Sequence, residues 1–230
     1  MDQQTPKPPY RRQIRSFVRR EGRLTEGQQR ALDELLPQYG APAEGPLEPV
    51  AVFGRPAPTV LEIGFGNGDS LAQMAQARPE WNYLGVEVHR PGVGHLLLLL
   101  EREEIGNVRV ICDDAQRVLG RLPDGCLHGV QLYFPDPWHK KRHHKRRLVQ
   151  PDWAQAIRRK LEPGGFLHMA TDWEDYAEHM RTVLEAAPGF RPAGAEEAAT
   201  YVAARPQTKF ELRGRKRGHD VWDLVYIREE

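Results

Sequence analysis

The 230-residue sequence has no long apolar run and only two cysteines. Its longest uninterrupted apolar stretch, the five leucines at positions 96–100, is far shorter than the roughly 20 residues of a membrane-spanning helix. The first residues are polar and basic, without the apolar core of a secretory signal. We therefore expect a cytoplasmic protein that has no membrane partner.

The scarcity of cysteine also limits metal and redox chemistry. Cys112 and Cys126 lack the paired spacing of a zinc site, and each lies in an apolar segment where a reduced, buried thiol is expected. His139, His143 and His144 lie close together, but no convincing set of further ligands accompanies them. We predict no metal site.

The sequence also has almost no net charge. Its 33 lysines and arginines are nearly balanced by 32 acidic residues, which gives a formal net charge of +1. The basic residues are nevertheless concentrated. Residues 1–24, 140–147 and 209–217 carry seven, six and five of them, or 18 of the 33. Each stretch alone is typical of a solvated surface, but the three together favour a basic face that binds a polyanion.

Residues 1–58 are rich in proline, glycine and charge, and only residues 29–36 have the apolar spacing of a helix. We interpret residues 1–58 as an N-terminal extension of one main domain at residues 59–230, which is an ordinary size for a domain.

After residue 58, short apolar runs alternate with amphipathic stretches. Predicted strands lie at residues 59–63, 83–88, 108–112, 129–134, 166–170 and 221–227, and predicted helices at residues 70–77, 93–104, 152–161 and 175–186. This alternation predicts an α/β fold with a doubly wound, mostly parallel sheet, which binds ligands at the carboxyl ends of its strands.

The first predicted strand leads into three glycines at alternate positions, Gly64, Gly66 and Gly68, before a helix begins. Such spacing lets the backbone approach a nucleotide, so Gly64 and Gly66 are candidate cofactor contacts. A tight strand-to-helix turn is the alternative explanation. A dinucleotide fingerprint would place its third glycine at position 69, where Asp69 stands. The loop therefore does not favour a cofactor that contains pyrophosphate.

Acidic residues stand at or just after four predicted strands, namely Glu62, Glu87, Asp113 with Asp114, and Asp136. Glu87 is placed to accept both ribose hydroxyls of a nicotinamide cofactor or of S-adenosylmethionine. Asp113 or Asp114 can accept from an adenine amino group. Helix capping explains any one of these acids more easily than all four. Because carboxylates suit a sulfonium cation and repel pyrophosphate, S-adenosylmethionine is the expected cofactor.

The fourth predicted strand is followed by Phe-Pro-Asp-Pro-Trp at residues 134–138 and then by the second basic stretch. The two prolines hold the carboxylate of Asp136 at the edge of the sheet, where it can accept from the N–H groups of a base. The basic stretch would contact phosphates, although a rigid turn with a solvated loop is the alternative. The candidate phosphate contacts are Lys140, Arg142, His143, His144, Lys145, Arg146 and Arg147.

Several motifs together resemble those of the bacterial tRNA (guanine-N7)-methyltransferases. They are Leu-Glu-Ile-Gly-Phe-Gly at residues 61–66, Gly-Val-Glu-Val-His at 85–89, the block at 134–147, Ala-Thr-Asp-Trp at 170–173 and Thr-Lys-Phe-Glu at 208–211. The resemblance extends over about residues 15–227. It implies a seven-stranded, Rossmann-like methyltransferase sheet with helices on both faces. It also implies S-adenosylmethionine as cofactor and a guanine in the tRNA variable loop as substrate.

The resemblance further assigns site residues. It implies cofactor contacts at Glu62, Glu87, Asp114 and Asp136, and substrate contacts at Lys140, Asp172, Thr208, Lys209, Phe210 and Glu211. Three aromatic residues, Trp138, Trp173 and Phe210, are candidates for stacking on the base.

Guanine N7 carries an in-plane lone pair and no proton, so its methylation by a sulfonium needs alignment and no dedicated base. Asp136 is the expected catalytic residue, because its carboxylate would accept from guanine N1 and the amino group and oppose the positive charge that develops on the ring. Methylation of an exocyclic amine, RNA binding without catalysis and dehydrogenase activity are the other readings. Both a monomer and a homodimer fit the sequence.

Overall fold

The structure is a computed structural model that describes residues 16, 22–207, 211 and 220–230. The strands are β1 Thr59–Ile63, β2 Asn82–Val86, β3 Val108–Ile111, β4 Leu127–Tyr133, β5 Leu161–Thr171, β6 Phe190–Pro192 and β7 Trp222–Arg228. They form one sheet in the order β3-β2-β1-β4-β5-β7-β6. The first five strands in this order, β3 to β5, are parallel to one another. Strand β7 is antiparallel to both β5 and β6. The predicted mostly parallel sheet of seven strands is confirmed.

Helices occupy the connections between the strands. They are α1 Glu26–Arg30, α2 Leu36–Tyr39, α3 Pro49–Phe53, α4 Asp69–Ala77, α5 Arg90–Arg102, α6 Ala115–Leu119, α7 Pro151–Lys160, α8 Glu174–Glu185 and α9 Ala195–Ala204. A π-helical turn, Ala31–Leu35, joins α1 to α2, and a 3-10 helix, Lys141–Arg146, precedes α7. No helix in the described ranges is long and apolar enough to cross a membrane.

Helices cover both faces of the sheet, and β1 is buried on both of its faces. Leu61 and Ile63 join an apolar cluster with residues of α7 and α8. Val60, which points to the opposite face, joins a second cluster with residues of α4 and α5. Because both faces are buried, the strand has no polar side to alternate with the apolar one.

The strand order places a ligand-binding crevice next to β1. This strand pairs with β2 on one side and with β4 on the other, so the chain leaves the sheet in opposite directions at the ends of β1 and β4. In doubly wound sheets, ligands bind at this switch point, outside the carboxyl ends of the strands. The glycine loop follows β1 at this place.

The described part of the N-terminal segment packs against the rest of the chain. Leu32 and Leu35 are buried in the cluster that contains α4 and α5, and Leu47 is fully buried in the other cluster. Gly40 also forms a β-bridge with Val110 of β3. The boundary at residue 58 stays a prediction, and residues on both sides of it contribute to the core.

The far edge of the sheet was not predicted from the sequence. Strand β6 has only three residues, and α9 contains alanines and polar residues of which none is buried. An apolar periodicity marks neither element, because neither buries a complete face.

The prediction for the cysteines was wrong. Cys112 is exposed and Cys126 is half-buried. Strand β3 ends at Ile111, so Cys112 already lies beyond the buried part of the sheet. Burial raises the pKa of the Cys126 thiol to about 11, which keeps it protonated at neutral pH.

Candidate active site

A cavity of about 210 Å³ opens at the carboxyl ends of β1 to β4. Residues that follow four different strands line it, and they include Gly64, Glu87, Asp113, Asp114 and Asp136. The fold therefore brings together the predicted cofactor residues from distant parts of the chain. Two predicted contacts, Glu62 and Gly66, are not among the lining residues.

The three glycines after β1 are required by the backbone conformation. Gly64, Gly66 and Gly68 have φ angles of 76°, 61° and 80°, a left-handed region that other residues rarely adopt. At Gly68 space is also short, because a Cβ atom there would lie 2.7 Å from a methyl group of Leu96. The tight turn proposed as the alternative explanation is present. Cofactor contacts at Gly64 and Gly66 stay a prediction.

The Glu87 carboxylate ties the glycine loop to the end of β2. Its Oε2 accepts from the Gly66 amide at 2.9 Å, and its Oε1 accepts from the amides of Val88 at 2.7 Å and His89 at 2.9 Å. A carboxylate offers about four acceptor positions, so Glu87 retains capacity for a ligand hydroxyl. This side chain therefore builds the cavity wall as well as lining it.

Glu62 is a buried carboxyl on β1. It is 3% exposed, and its Oε2 has no hydrogen-bond partner among the described residues. Burial, followed by the negative charge of Glu87, raises the pKa of Glu62 to about 8, so this carboxyl is mostly protonated at neutral pH. A protonated carboxyl carries no charge and Glu62 does not line the cavity, so a cofactor contact at Glu62 stays a prediction.

Asp113 and Asp114 lie side by side at the end of β3. Asp114 caps α6, since its Oδ1 accepts from the Gln116 amide at 2.9 Å. Asp113 Oδ1 accepts from the Asp114 amide at 2.8 Å and pairs with Arg117 at 3.2 Å. Both residues line the cavity, so Asp114 caps α6 and also contributes to the cavity wall. The assignment of the adenine contact to Asp114 stays a prediction.

The Phe-Pro-Asp-Pro-Trp turn holds Asp136 at the cavity. The Phe134 amide, in a residue with φ of 52°, donates to the Ala170 carbonyl at 2.8 Å. On the other side, the Pro137 carbonyl accepts from Arg147 Nε at 2.9 Å. Asp136 itself is exposed. An accessible carboxylate is thus carried by a backbone that is fixed on both sides.

Arg147, a predicted phosphate contact, has a buried side chain with several partners in the protein, and its contact with phosphate stays a prediction. Its side chain is 1% exposed and donates to the Pro137 carbonyl, to His144 Nε2 at 3.2 Å and to the Asp175 carboxylate. The guanidinium also lies over the Tyr176 ring, 4.8 Å from its centroid. The hydrogen bond from Arg147 lowers the pKa of Asp175. These contacts join the turn after β4 to α8, although Asp175 itself is exposed.

The other predicted phosphate contacts are accessible. Lys140, Arg142 and Lys145 are exposed, and His143, His144 and Arg146 are half-buried. Burial, and then the positive charges of Arg142 and Arg146, lower the pKa of His143. At neutral pH His143 therefore offers a hydrogen bond more than a charge. Phosphate binding by these residues stays a prediction.

Trp138 is already packed. The Arg146 guanidinium lies 3.8 Å from the centroid of its ring, and Trp138 Nε1 donates to the Ser16 carbonyl at 3.1 Å. Trp173 makes an edge-on contact with His139, with ring centroids 4.2 Å apart. The guanidinium thus occupies a face of Trp138 on which a base was expected to stack.

The motifs after β5 and α9 have different environments. Asp172 is half-buried and follows β5, next to the end of β4. Glu211 was predicted to contact the substrate, but its side chain is 1% exposed and accepts from Arg205 NH1 at 2.7 Å. A contact of Glu211 with the substrate stays a prediction. Thr208, Lys209 and Phe210 lie outside the described residues.

Sequence reasoning did not identify a buried polar network of Tyr133, His168, Arg205 and Asp223. Burial alone would raise the pKa of Asp223, but hydrogen bonds from His168 and Arg205 outweigh it and hold that pKa below its usual range. The sequence feature that could have indicated this network is the presence of His168 and Asp223 inside strands that are otherwise largely apolar. Such interruptions of a buried strand need a partner.

Comparisons with known proteins agree with this geometry. A family model described as "Putative methyltransferase" matches residues 56–224. The tRNA (guanine-N(7)-)-methyltransferase of Alkalilimnicola ehrlichii is 60% identical over 224 residues, which cover 96% of this chain and 94% of the relative. The protein of the same name from Alcanivorax borkumensis is 58% identical over 218 residues, which cover 94% and 91%.

Two solved structures share the fold. The 16S rRNA methyltransferase KamB has a TM-score of 0.56 at 14% identity, over 77% of this chain and 91% of that chain. An rRNA methylase from Streptococcus thermophilus has a TM-score of 0.51 at 13% identity, over 76% and 88%. At these identities the likeness extends to the fold alone.

Proposed function

Because the chain belongs to the tRNA (guanine-N7)-methyltransferase family, we propose that it transfers a methyl group from S-adenosylmethionine to N7 of a guanine in the variable loop of tRNA. The observation that carries the proposal is the cavity between four strand ends. The other acidic residues that line the cavity lie on one side of Asp136. A basic 3-10 helix begins five residues after Asp136 in the chain.

The residues of the cavity suit S-adenosylmethionine. Glu87 has acceptor capacity for the ribose hydroxyls, and Asp113 and Asp114 stand where the adenine would lie. When bound, the cofactor supplies an electrophilic methyl group on a positively charged sulfur.

Asp136 is the residue that we assign to the acceptor base. Its exposed carboxylate would accept hydrogen bonds from guanine N1 and the exocyclic amino group, which fixes the ring with N7 towards the cavity. As N7 gains a carbon, the ring becomes cationic, and the negative charge of Asp136 favours this change. Because N7 has no proton to lose, the site needs no general base.

The exposed cations next to Asp136 supply a path for the RNA backbone. Lys145 and Arg146 line a second cavity of about 460 Å³, which continues along Arg159 and Lys160 of α7. Phosphate contacts of this kind provide affinity without reading sequence. Lys140 and Asp172 are assigned to the substrate side of the site, in a cytoplasmic protein that is a monomer or a homodimer.

Incubation with unmodified tRNA transcripts and methyl-labelled S-adenosylmethionine, followed by nucleoside identification, tests the proposal. We expect 7-methylguanosine, and its loss when the variable-loop guanines are replaced by adenines. Label in an N-methylated exocyclic amine would support methylation of an amino group instead. RNA binding without cofactor binding would reduce the protein to a noncatalytic RNA-binding role.

A further inference from the structure

A groove lies between α6 and α7, on the face of the sheet opposite α4 and α5. It is the second cavity of about 460 Å³, and we call it the α6–α7 groove. On α7 its lining extends from Asp152 to Lys160, eight positions that cover about 12 Å of helix. One strand of a duplex carries roughly three phosphates over that length. The groove is therefore long enough to hold more than one nucleotide.

The α6–α7 groove carries a surplus of positive charge. One acid, Asp152, stands among the described residues that line it. The cations that line it are Lys145, Arg146, Arg147, Arg159 and Lys160. Arg147 and Lys160 are paired with carboxylates, those of Asp175 and Asp124. Apart from these two, the exposed Lys145 and Arg159 still outnumber the single acid, so the groove suits an anionic ligand.

Arg159 marks the end of the groove that is remote from Asp136. It lies in the last turn of α7, which leads into the beginning of β5, whereas Asp136 follows the end of the parallel strand β4. The Arg159 carbonyl accepts from the Gly125 amide at 2.8 Å, just before β4 begins. Its side chain is exposed and makes no hydrogen bond with the described residues. The backbone of Arg159 is thus fixed while its guanidinium is open to a phosphate.

The groove meets the cofactor cavity at one boundary. Ser16 and Leu148 line both, so a strand can pass from one to the other. Trp153 lines the groove as well. It is 5% exposed, and its indole N–H is a buried donor that has no acceptor in the described part of the chain. Because buried donors without an acceptor are rare, a bound acceptor such as a phosphate oxygen fits this wall.

The described surface beside α5 has a different charge pattern. Arg30 pairs with Glu34 at 3.1 Å and with Glu101 at 2.9 Å, and Arg102 pairs with Glu103 at 2.7 Å. Acids of the same surface therefore offset these cations. The distribution of charge favours the α6–α7 side of the sheet for a polyanion.

We propose that the α6–α7 groove binds the phosphodiester backbone of the RNA strand that continues from the target guanine, with Arg159 as the phosphate contact at its far end. This inference rests on the proposed function, because it requires a guanine of that strand to lie at Asp136. It extends the RNA-binding surface from the 3-10 helix to the last turn of α7. Contacts to phosphates add affinity and salt dependence without reading sequence.

Arg159→Gln tests the far end of the groove in the full-length protein. We measure the affinity for an unmodified tRNA transcript between about 50 and 200 mM salt. Loss of one phosphate contact should reduce the slope of log affinity against log salt by up to about 0.9, and weaken binding about three- to eightfold at about 0.1 M salt. Arg159→Lys keeps the charge and should restore most of the slope. Affinity for S-adenosylmethionine should not change in either variant.

Gln116→Glu tests the opposite wall. Gln116 is an exposed residue of α6 that lines the groove. A negative charge at this position repels phosphates, so tRNA binding should weaken by about threefold or more at low salt.

Arg158→Gln is the matched control. Arg158 and Arg159 are neighbours in the last turn of α7, so both substitutions remove the same charge from the same end of the helix. Arg158 Nε donates to Gln155 at 3.1 Å, and its side chain lies against Gly189 and does not line the groove. Arg158→Gln should leave tRNA affinity within about twofold of the parent and the salt slope almost unchanged.

Three results would overturn the proposal. They are a salt slope of Arg159→Gln equal to that of the parent, an equal loss in Arg158→Gln, and a Gln116→Glu variant that binds tRNA as tightly as the parent. If Arg159→Gln does not fold, Gln116→Glu decides by itself. A parent protein that binds tRNA but makes no 7-methylguanosine would refute the proposed function, and the salt slopes would still decide whether the groove binds RNA.

Discussion

Replacement of Glu62 by glutamine tests the state of the buried carboxyl on β1. The side chain is 3% exposed, and its pKa is raised to about 8 from an ordinary value of 4.5. Between these two pH values the folded protein keeps a proton that the unfolded chain releases. The free energy of unfolding of the ligand-free parent therefore decreases as the pH rises from about 4.5 to about 8.

The magnitude follows from the pKa difference. One pKa unit corresponds to about 1.4 kcal/mol, so the full difference gives an upper limit of about 5 kcal/mol. Glutamine cannot ionise and should lack this contribution. Relative to Glu62→Gln, the parent should lose on the order of 2–4 kcal/mol of stability between pH 5 and pH 8.

Urea unfolding of both proteins at pH 5, 6, 7 and 8 measures this difference. Glu178→Gln, which removes an exposed acid from α8, is the control and should give a nearly constant difference from the parent. A stability difference between the parent and Glu62→Gln that does not change with pH would refute an ionisable, desolvated Glu62.

Three further variants probe the site. Glu87→Ala should weaken S-adenosylmethionine binding by about 1–3 kcal/mol in calorimetry and leave tRNA affinity intact, and unchanged cofactor affinity would remove Glu87 from the site. Asp136→Asn should lower the single-turnover rate roughly a hundredfold with little change in thermal stability, and a rate within a few-fold of the parent would exclude a central role. Arg142→Gln with Lys145→Gln should reduce the slope of log tRNA affinity against log salt by up to about two, whereas an unchanged slope would place the RNA elsewhere.

The sheet could be predicted from the sequence because its central strands are buried on both faces. The central strand Thr59–Ile63 and the edge strand Val108–Ile111, in which only Arg109 is not fully buried, were both placed to within one residue at each end. Helix α9 has no buried residue, so nothing in its periodicity distinguished it from a loop. Local pattern thus predicts the elements that carry the core and fails where an element lies on the surface.

The acids of the cavity could be predicted because each follows a strand, and parallel strands bring their carboxyl ends together. The sequence did not separate Arg147, which is buried on Tyr176, from its exposed neighbour Lys145. The six lysines and arginines of residues 140–147 have similar chemistry. The contact with Asp175 in the folded protein is what distinguishes Arg147 from the others.

Ser16 has a consequence for how this protein can be divided. It lines both the cavity between the strand ends and the larger cavity beside α7, and its carbonyl holds the indole of Trp138, which is 122 positions further along the chain. The two compartments therefore share a boundary supplied from outside the sheet. A chimera that joins residues 59–230 to a foreign N-terminal segment would lose this shared boundary together with the buried Leu32, Leu35 and Leu47, so the N-terminal segment is not an interchangeable module.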